Sequence, residues 1–570
     1  MWTRLALGAI LVCAAVLRTR GISFGLPFVY NPDEVAIMSR ALAFATGDLN
    51  PHNFLYPTLY FYVLAGAVGL YYVFGTIAGQ IASLSAFQQS FFLDPTGIYL
   101  AGRTLGVLCG VASVALTWSL GARLGGPLCA AAAALFLAVA PFAVRDAHYV
   151  KHDVPATLAV LAAVLVMLPL ADPASPERTV RRVGAAGVLA GLACSIHYYA
   201  VFVLVPLVLA LWMGWRHEPR GRRLQVLGAC GAVAAAAFLA GSPFLLVEPH
   251  LAWRDIRANR QIVVDRAVEG GEVPFASTRE YAGMLGSDAT GWPVVALSVA
   301  GLVLLVRNAP SRGLLLIAFP LTFLLFIANT VAATRYLNPV LPFVAVWAGV
   351  AVGSFGRRPP GRTAVAVTLT VVAALPGLLA SWRTGSFFRQ MDTRTLALEY
   401  MAAHVPEGAS VLIQPYSVPV YQSREGLLEA LRLHIGDPER ASTKFRIQLA
   451  LTVWPSPAYR TLYLGRGGLD LDKIYLDYAD FEGDARLEAL GRHDVHYVVL
   501  KRYNEEPAAI RPLVDALGRE AQRLAVFSPY AGSPDTWRTS PVAPFLHNTD
   551  ARLDDALERP GPVIEIWQVP

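Results

Sequence analysis

Phe28-Val29-Tyr30-Asn31-Pro32-Asp33-Glu34 sets two adjacent carboxylates just past the first hydrophobic run of the chain. Local chemistry predicts a helix start there. Asn31 is a good N-cap, Pro32 suits the first helical position, and Asp33 and Glu34 complement the positive end of the helix dipole. Such a start holds both acids rigidly, and the flanking sequence says where: at a membrane surface. Of 570 residues, 55% are hydrophobic and only 15% charged, against roughly 25% charged in a soluble chain. Mean hydropathy is +0.47. The net charge of +6 comes largely from short basic clusters between apolar runs. That is the pattern of the positive-inside rule, not of a nucleic-acid-binding surface.

Outward from that stretch, apolar runs near 4–17, 98–119, 126–144, 155–171, 183–215, 226–247, 293–306, 313–331, 337–354 and 363–382 are candidate membrane spans. The run 183–215 is too long for one helix and carries His197-Tyr198-Tyr199 in its middle, so it divides there into two. The first run resembles a signal peptide, with Arg4 ahead of apolar residues, but no small-residue cleavage site precedes Arg18-Thr19-Arg20, so it reads as a retained helix. The basic connections at Arg123, at Arg178/Arg181/Arg182, at Arg216 to Arg223, at Arg307/Arg312 and at Arg357/Arg358/Arg362 then fall on one face, expected to be cytoplasmic. The opposite face receives residues 145–153, His197, loop 248–292, Arg335 and everything after Trp382.

This parity puts Asp33 on that outer face only if the aromatic-rich run 58–77 does not cross. The expectation is therefore eleven spans, with 58–77 lying at the interface inside an external first loop of residues 18–97.

Composition changes after residue 383. Residues 384–570 have ordinary charge density and read as a soluble α/β domain outside the membrane, following a polytopic domain of residues 1–383. Helices are expected over Thr393 to His404 and Ser423 to Ile435, and strands over Ser410 to Ile413, Thr461 to Leu464, Val495 to Lys501 and Val563 to Val569. The five cysteines, Cys13, Cys109, Cys129, Cys194 and Cys230, all lie in apolar segments, so the soluble domain is not built on disulfides. No Cys/His spacing suggests structural zinc.

On the outer face the chain gathers Asp33, Glu34, the segment Arg145-Asp146-Ala147-His148-Tyr149-Val150-Lys151-His152-Asp153, then His197, Glu248, His250 and Arg335. Pro155 should open the next helix, which places Asp153 almost at its N-cap. Carboxylates beside cations at a lipid–water boundary suit one chemistry. An acid deprotonates an acceptor hydroxyl while Arg and Lys stabilise a departing lipid phosphate. The same acids, Asp33 and Asp153, are also candidate ligands for magnesium or manganese. His148 and His152, four apart, suit zinc only on a helix, and no HExxH pattern accompanies them.

Several motifs in order now carry a resemblance: Asp33-Glu34 in the first loop, Leu55-Tyr56-Pro57-Thr58-Leu59-Tyr60, Arg103-Thr104-Leu105, Ala140-Pro141, the 145–155 segment ending His152-Asp153-Val154-Pro155, and Thr334-Arg335-Tyr336-Leu337-Asn338-Pro339. Over residues 1 to about 380 the chain resembles the GT-C membrane glycosyltransferases, and more narrowly the family 39 group of protein-mannosyltransferase-like and aminoarabinose-transferase-like proteins. The resemblance implies a polyprenyl-phosphate sugar donor, an extracytoplasmic acceptor (protein, lipid or glycan), inversion, and a site outside the plasma membrane.

Carried over by position, Asp33 resembles the family's first-loop base and Asp153 its second-loop acid, with Glu34 beside them. Where the family has a charged residue before the first-loop proline, this chain has neutral Tyr56. The donor phosphate is then expected on Lys151, His197, Arg335 and Arg145, and substrate contacts on Tyr56, His148, His152 and Tyr336. A transporter or flippase with an external sensor domain is the competing class. It would bury acids mid-membrane, whereas most spans here contain none.

Overall fold

The computed structural model describes residues 2–570 except 262–273, 357–360, 469, 483–486, 505, 534 and 547–552. Arg357 and Arg358, counted above among the basic connections, lie outside the described residues. The chain opens with α1 (Trp2–Thr19), α2 (Pro32–Ala43), α3 (Leu59–Ile77), α4 (Leu84–Leu93), α5 (Thr96–Gly125), α6 (Pro127–Ala138), α7 (Pro141–Asp146) and α8 (Asp153–Met167). Next come α9 (Val180–Ile196), a 3-10 segment Tyr198–Val203, α10 (Leu204–Gly214), α11 (Arg220–Gly241) and α12 (Pro249–Arg260). The helices Trp292–Asn308, Pro310–Ile327, Leu341–Gly356 and Gly361–Phe387 complete the membrane part.

The expected division of the long 183–215 run falls at His197, whose extended backbone (φ −151°, ψ 133°) ends α9. The last long helix runs on to Phe387, past the compositional break at 383, because a change in polarity does not itself stop a helix.

Close packing relies on small residues, as membrane interiors require. A Cβ on Gly191 of α9 would lie 2.1 Å from the Ala234 carbonyl oxygen of α11. Fully buried Arg18, near the end of α1, donates to the Ala138 and Leu137 carbonyls at the C-terminus of α6, where the helix dipole favours a cation.

Seven described helices are long and apolar enough to cross a bilayer, or eight if the pair Thr278–Ala289 and Trp292–Asn308, bent by 114°, forms one span. The number differs from the eleven expected for two reasons. Pro127–Ala138, Val180–Ile196, Tyr198–Gly214 and Leu341–Phe355 are short for a crossing, which takes roughly 20 residues. Conversely, Leu59–Ile77 has the length and apolarity of a span. Its neighbours fix its direction. A Cβ on Gly241, at the end of α11, would meet Leu59; one on Gly102 would meet Leu64; one on Gly97 would meet Tyr71. So α3 starts where α11 ends and runs antiparallel to the first half of α5.

The two ends of the helical body differ chemically. At one end Arg123, Asp172, Ser175, Glu177 and Arg312 line a polar hollow. Glu177 pairs there with Arg123 and Arg182, and Arg178 sits 4.8 Å over the Trp215 ring. Four of the five basic connections thus converge. At the other end lie Asp33, Lys151, His197 and Arg335. An impermeant maleimide should therefore label Asp48→Cys and Arg181→Cys, both exposed positions, from opposite sides of the membrane. Labelling of both from one side would contradict this arrangement.

The C-terminal region is a seven-stranded sheet of β1 (Ser410–Ile413), β2 (Tyr421–Gln422), β3 (Ala458–Leu464), β4 (Ile474–Leu476), β5 (Tyr497–Arg502), β6 (Gln522–Phe527) and β7 (Val563–Gln568). The order is β2-β3-β1-β5-β7-β6, with β4 also on β3. The pairs among β1 to β5 are parallel, while β7 runs antiparallel to β5 and β6. The expected helix Thr393–His404 and strand Ser410–Ile413 are present with those bounds. The short or polar β2, β4 and β6 carried too little alternation to be read from sequence.

The sheet domain docks on the two loops that matter. Phe24 and Tyr149 pack with Phe387, Phe388, Tyr530, Trp537 and Phe545 in one apolar cluster. Phe28 meets Tyr421, and Tyr30 hydrogen-bonds Thr395 at 2.7 Å.

Candidate active site between the first and second loops

The opening stretch folds as its chemistry demands. The Asn31 side chain accepts the backbone N–H of Asp33, and Pro32 is the first residue of α2. With the helix start fixed, Asp33 and Glu34 are about 100° apart around the axis, and they meet different surroundings.

Asp33 is 42% exposed, and its Oδ2 accepts from Lys151 Nζ at 2.7 Å and from Arg335 Nη1 at 2.8 Å. One carboxylate oxygen therefore joins the first loop, the second loop and the Thr334–Leu337 turn. Burial by itself would raise the Asp33 pKa, but the charges of Lys151 and then Arg335 more than offset it and hold the acid at about 2.

Glu34 turns inward and is fully buried. Its two oxygens accept from Arg103 Nε and Nη2, each at 3.0 Å, and Oε1 also accepts the Val150 N–H at 2.9 Å. Arg103 also donates from Nη1 to the Ile22 and Phe24 carbonyls and covers the Phe24 ring at 4.2 Å. Glu34 thus clamps α2, α5 and the second loop together without facing Asp33's partners.

The second loop can lie so close because α5 is bare beneath it. Gly102, Gly106 and Gly110 recur every four residues, and a Cβ on Gly106 would sit 3.0 Å from the Ala147 carbonyl oxygen. This small-residue spacing, not singled out from the sequence, is the signal that could have indicated the contact. His148 is buried with its ring nitrogens each 2.9 Å from a carbonyl, Val144 and Arg20, so it fastens the loop and does not line the site. The segment after α7 is a turn, so His148 and His152 do not share a helix face for zinc.

Arg145 bonds Asp146 at 2.9 Å and Thr334 at 2.7 Å, while Asp146 accepts from Asn338. Expected as a phosphate ligand, Arg145 instead ties α7 to the turn that carries Arg335. Asp146, Thr334 and Asn338 were not singled out from sequence, since buried polar braces carry no local signature.

Asp153 opens α8 and is buried. Arg335, Lys151, Asp146 and Asp33 are the charges acting on it. An aromatic wall closes the site. Tyr56 stacks on His152 (centroids 4.5 Å, 11°) and meets His197 edge-on, and His197 stacks on Tyr199 at 3.8 Å.

Burial, and next His197, keep His152 neutral, with Nε2 unpartnered. Burial, reinforced by Arg335, pushes His197 down to about 3. Its Nδ1 accepts the Tyr199 N–H, which leaves Nε2 as the N–H donor. His197 therefore offers a hydrogen bond to an anion but no charge. Tyr336 lies under Arg335 at 5.4 Å, and Tyr56, raised to about 12 by burial, has Arg335, Asp33, Asp153 and Tyr336 as its charged neighbours.

Glu248, away from this centre, pairs with exposed His52, and His250 is exposed. No three His, Cys, Asp or Glu among the described residues group for a metal ion. Asp33 here accepts from two cationic side chains, Lys151 and Arg335.

Residues 97–248, which include α5, Lys151, Asp153 and His197, match the family model of dolichyl-phosphate-mannose-protein mannosyltransferases. No curated protein matches the chain by sequence. Among solved structures it is similar to apo ArnT from Cupriavidus metallidurans, with 13% identity and a TM-score of 0.52 over 99% of this chain and 97% of that one. It is also similar to the Archaeoglobus fulgidus oligosaccharyltransferase tethered to an acceptor peptide, with 12% identity and a TM-score of 0.50 over 88% and 69% of the two chains. The fold is that of the GT-C membrane enzymes.

Proposed function

We propose that this membrane glycosyltransferase of the GT-C fold takes its sugar from a polyprenyl phosphate and passes it, with inversion, to an acceptor hydroxyl outside the plasma membrane. The observation that carries the reading is the convergence of buried Lys151 and partly buried Arg335 on a single oxygen of Asp33. Two such donors from separate loops form a ready anion site, at the depth where a lipid phosphate rests.

A phosphate that occupies Lys151 and Arg335 frees Asp33, whose carboxylate then becomes a stronger base. The acceptor oxygen attacks the anomeric carbon, its proton passes to Asp33, and the bond from that carbon to the phosphate oxygen breaks. The electron pair leaves on the lipid phosphate, where Lys151 and Arg335 stabilise it and the neutral His197 N–H adds a hydrogen bond. Asp153, buried beside them, holds the sugar hydroxyls. Arg145 and Glu34 act as braces. The name of the matched family, a dolichyl-phosphate-mannose transferase, supports a lipid-phosphate donor. No step here requires a metal ion.

Arg335 offers a test. Its planar fork presents one N–H to the anion while the rest of the group packs against Tyr336, which a lysine ammonium cannot copy. Arg335→Lys should weaken polyprenyl-phosphate binding on the order of tenfold, about the loss of one charge-assisted bond. Unchanged affinity would take Arg335 out of the site.

A further inference from the structure

The sheet domain has its own feature that the transfer chemistry leaves unused. In parallel sheets, ligands bind beyond the carboxyl ends of the strands where successive connections leave in opposite directions. Here β1 lies between β3 and β5, so the crevice falls between the loops that follow β1 and β5.

Those loops are stitched together. The Gln414 N–H donates to the Val499 carbonyl at 2.9 Å, and Gln414 Oε1 accepts the Lys501 N–H at 2.8 Å. From this firm base Tyr416 projects with φ +65° and 64% exposure. A non-glycine residue in the left-handed region costs energy, and this ring recovers little of it by burial. Lys501 holds its ammonium 5.6 Å from the Tyr416 ring, with no carboxylate within 4 Å among the described residues. Burial, and secondarily Arg394, lower its pKa to about 8.

The crevice also faces the transfer site. The helix Thr393–His404 leads back into β1 and so begins at this same edge, where Arg394 lies 3.9 Å over the ring of Tyr30, three residues before Asp33. Arg394 is itself satisfied by Asp392 at 2.7 and 2.8 Å. Of the two, Lys501 is the cation without a carboxylate partner among the described residues.

We propose that this crevice is the acceptor subsite, and that it takes an acidic saccharide, with a sugar ring on the face of Tyr416 and a carboxylate or phosphate on Lys501. An aromatic platform with one well-placed polar group is the usual make-up of such sites. The proposal rests on the transferase reading, since it supplies the hydroxyl that Asp33 would deprotonate.

The test uses the full chain in nanodiscs with four probes: a hyaluronan tetrasaccharide, glucose 6-phosphate, neutral maltotetraose, and polyprenyl phosphate. At least one acidic probe should bind, with the two acidic probes separating carboxylate from phosphate, and maltotetraose should bind at least about tenfold more weakly. Lys501→Met should lose about tenfold on the acidic probe. Tyr416→Gly should weaken it similarly yet melt at the same or a higher temperature, because glycine accepts φ +65° without strain. A merely structural tyrosine would show the reverse. Polyprenyl-phosphate binding should not change in either variant. If neither acidic probe binds, or Lys501→Met binds them normally, the subsite is wrong. If the wild type fails to bind polyprenyl phosphate, it is the transferase reading that falls.

Discussion

Asp33→Asn is expected to lower turnover at least about a hundredfold and, at the same time, to bind polyprenyl phosphate about tenfold more tightly. The two effects have one origin. In the free protein Asp33 occupies both cations that the phosphate needs, and with its pKa held at about 2 it stays ionised and paired throughout the physiological range. A donor must displace it, and the charge-assisted bonds it gives up are worth about 1.5–3 kcal/mol each. Asparagine keeps the size but lowers this competition, so the phosphate meets freer cations. The same substitution removes the base. Measured separately, single-turnover transfer and equilibrium binding distinguish the parts. Near-normal turnover would remove Asp33 as the base. Lost turnover with unchanged affinity would leave the base in place but move the phosphate elsewhere.

Glu34→Gln should be the most destabilising conservative change in the first loop. Glu34 and Arg103 are a fully buried, doubly hydrogen-bonded pair, and removing one charge of such a pair costs about 3–5 kcal/mol because the other remains buried without compensation. The loss should appear as a lowered melting temperature and reduced protein level. Adding Arg103→Met to Glu34→Gln should recover part of the stability, since the stranded charge is gone. A Glu34→Gln protein that melts like wild type would mean that water reaches Arg103. Although Glu34 stands next to Asp33 in the sequence, burial makes it part of the scaffold.

How far the sequence reached is visible in single residues. The capped start at Asn31-Pro32, the break at His197, the helix Thr393–His404 and the strand Ser410–Ile413 were all legible, since each depends on contacts within a few residues or on hydrophobic periodicity. The segregation of basic loops to one end was legible for the same reason, as charge position relative to apolar runs is a one-dimensional property. Asp33, Lys151, Asp153 and Arg335 could be named as a set because each stands at a helix start or short turn on the same face.

What each of them does there was decided only in three dimensions. Adjacent Asp33 and Glu34 part company because a helix turns one toward Lys151 and Arg335 and the other toward Arg103, which is distant in sequence. His197 looked like a cation for phosphate, yet burial beside Arg335 leaves it neutral. Arg145 looked equally available and is consumed by Asp146 and Thr334. Leu59–Ile77 has the composition of a membrane span, and only its packing shows that it runs antiparallel to the first half of α5. The physical reason is common to all four. Composition and periodicity determine which segments fold and which end of the molecule they reach, whereas protonation, pairing and exposure depend on partners that only the tertiary fold brings within a few ångströms.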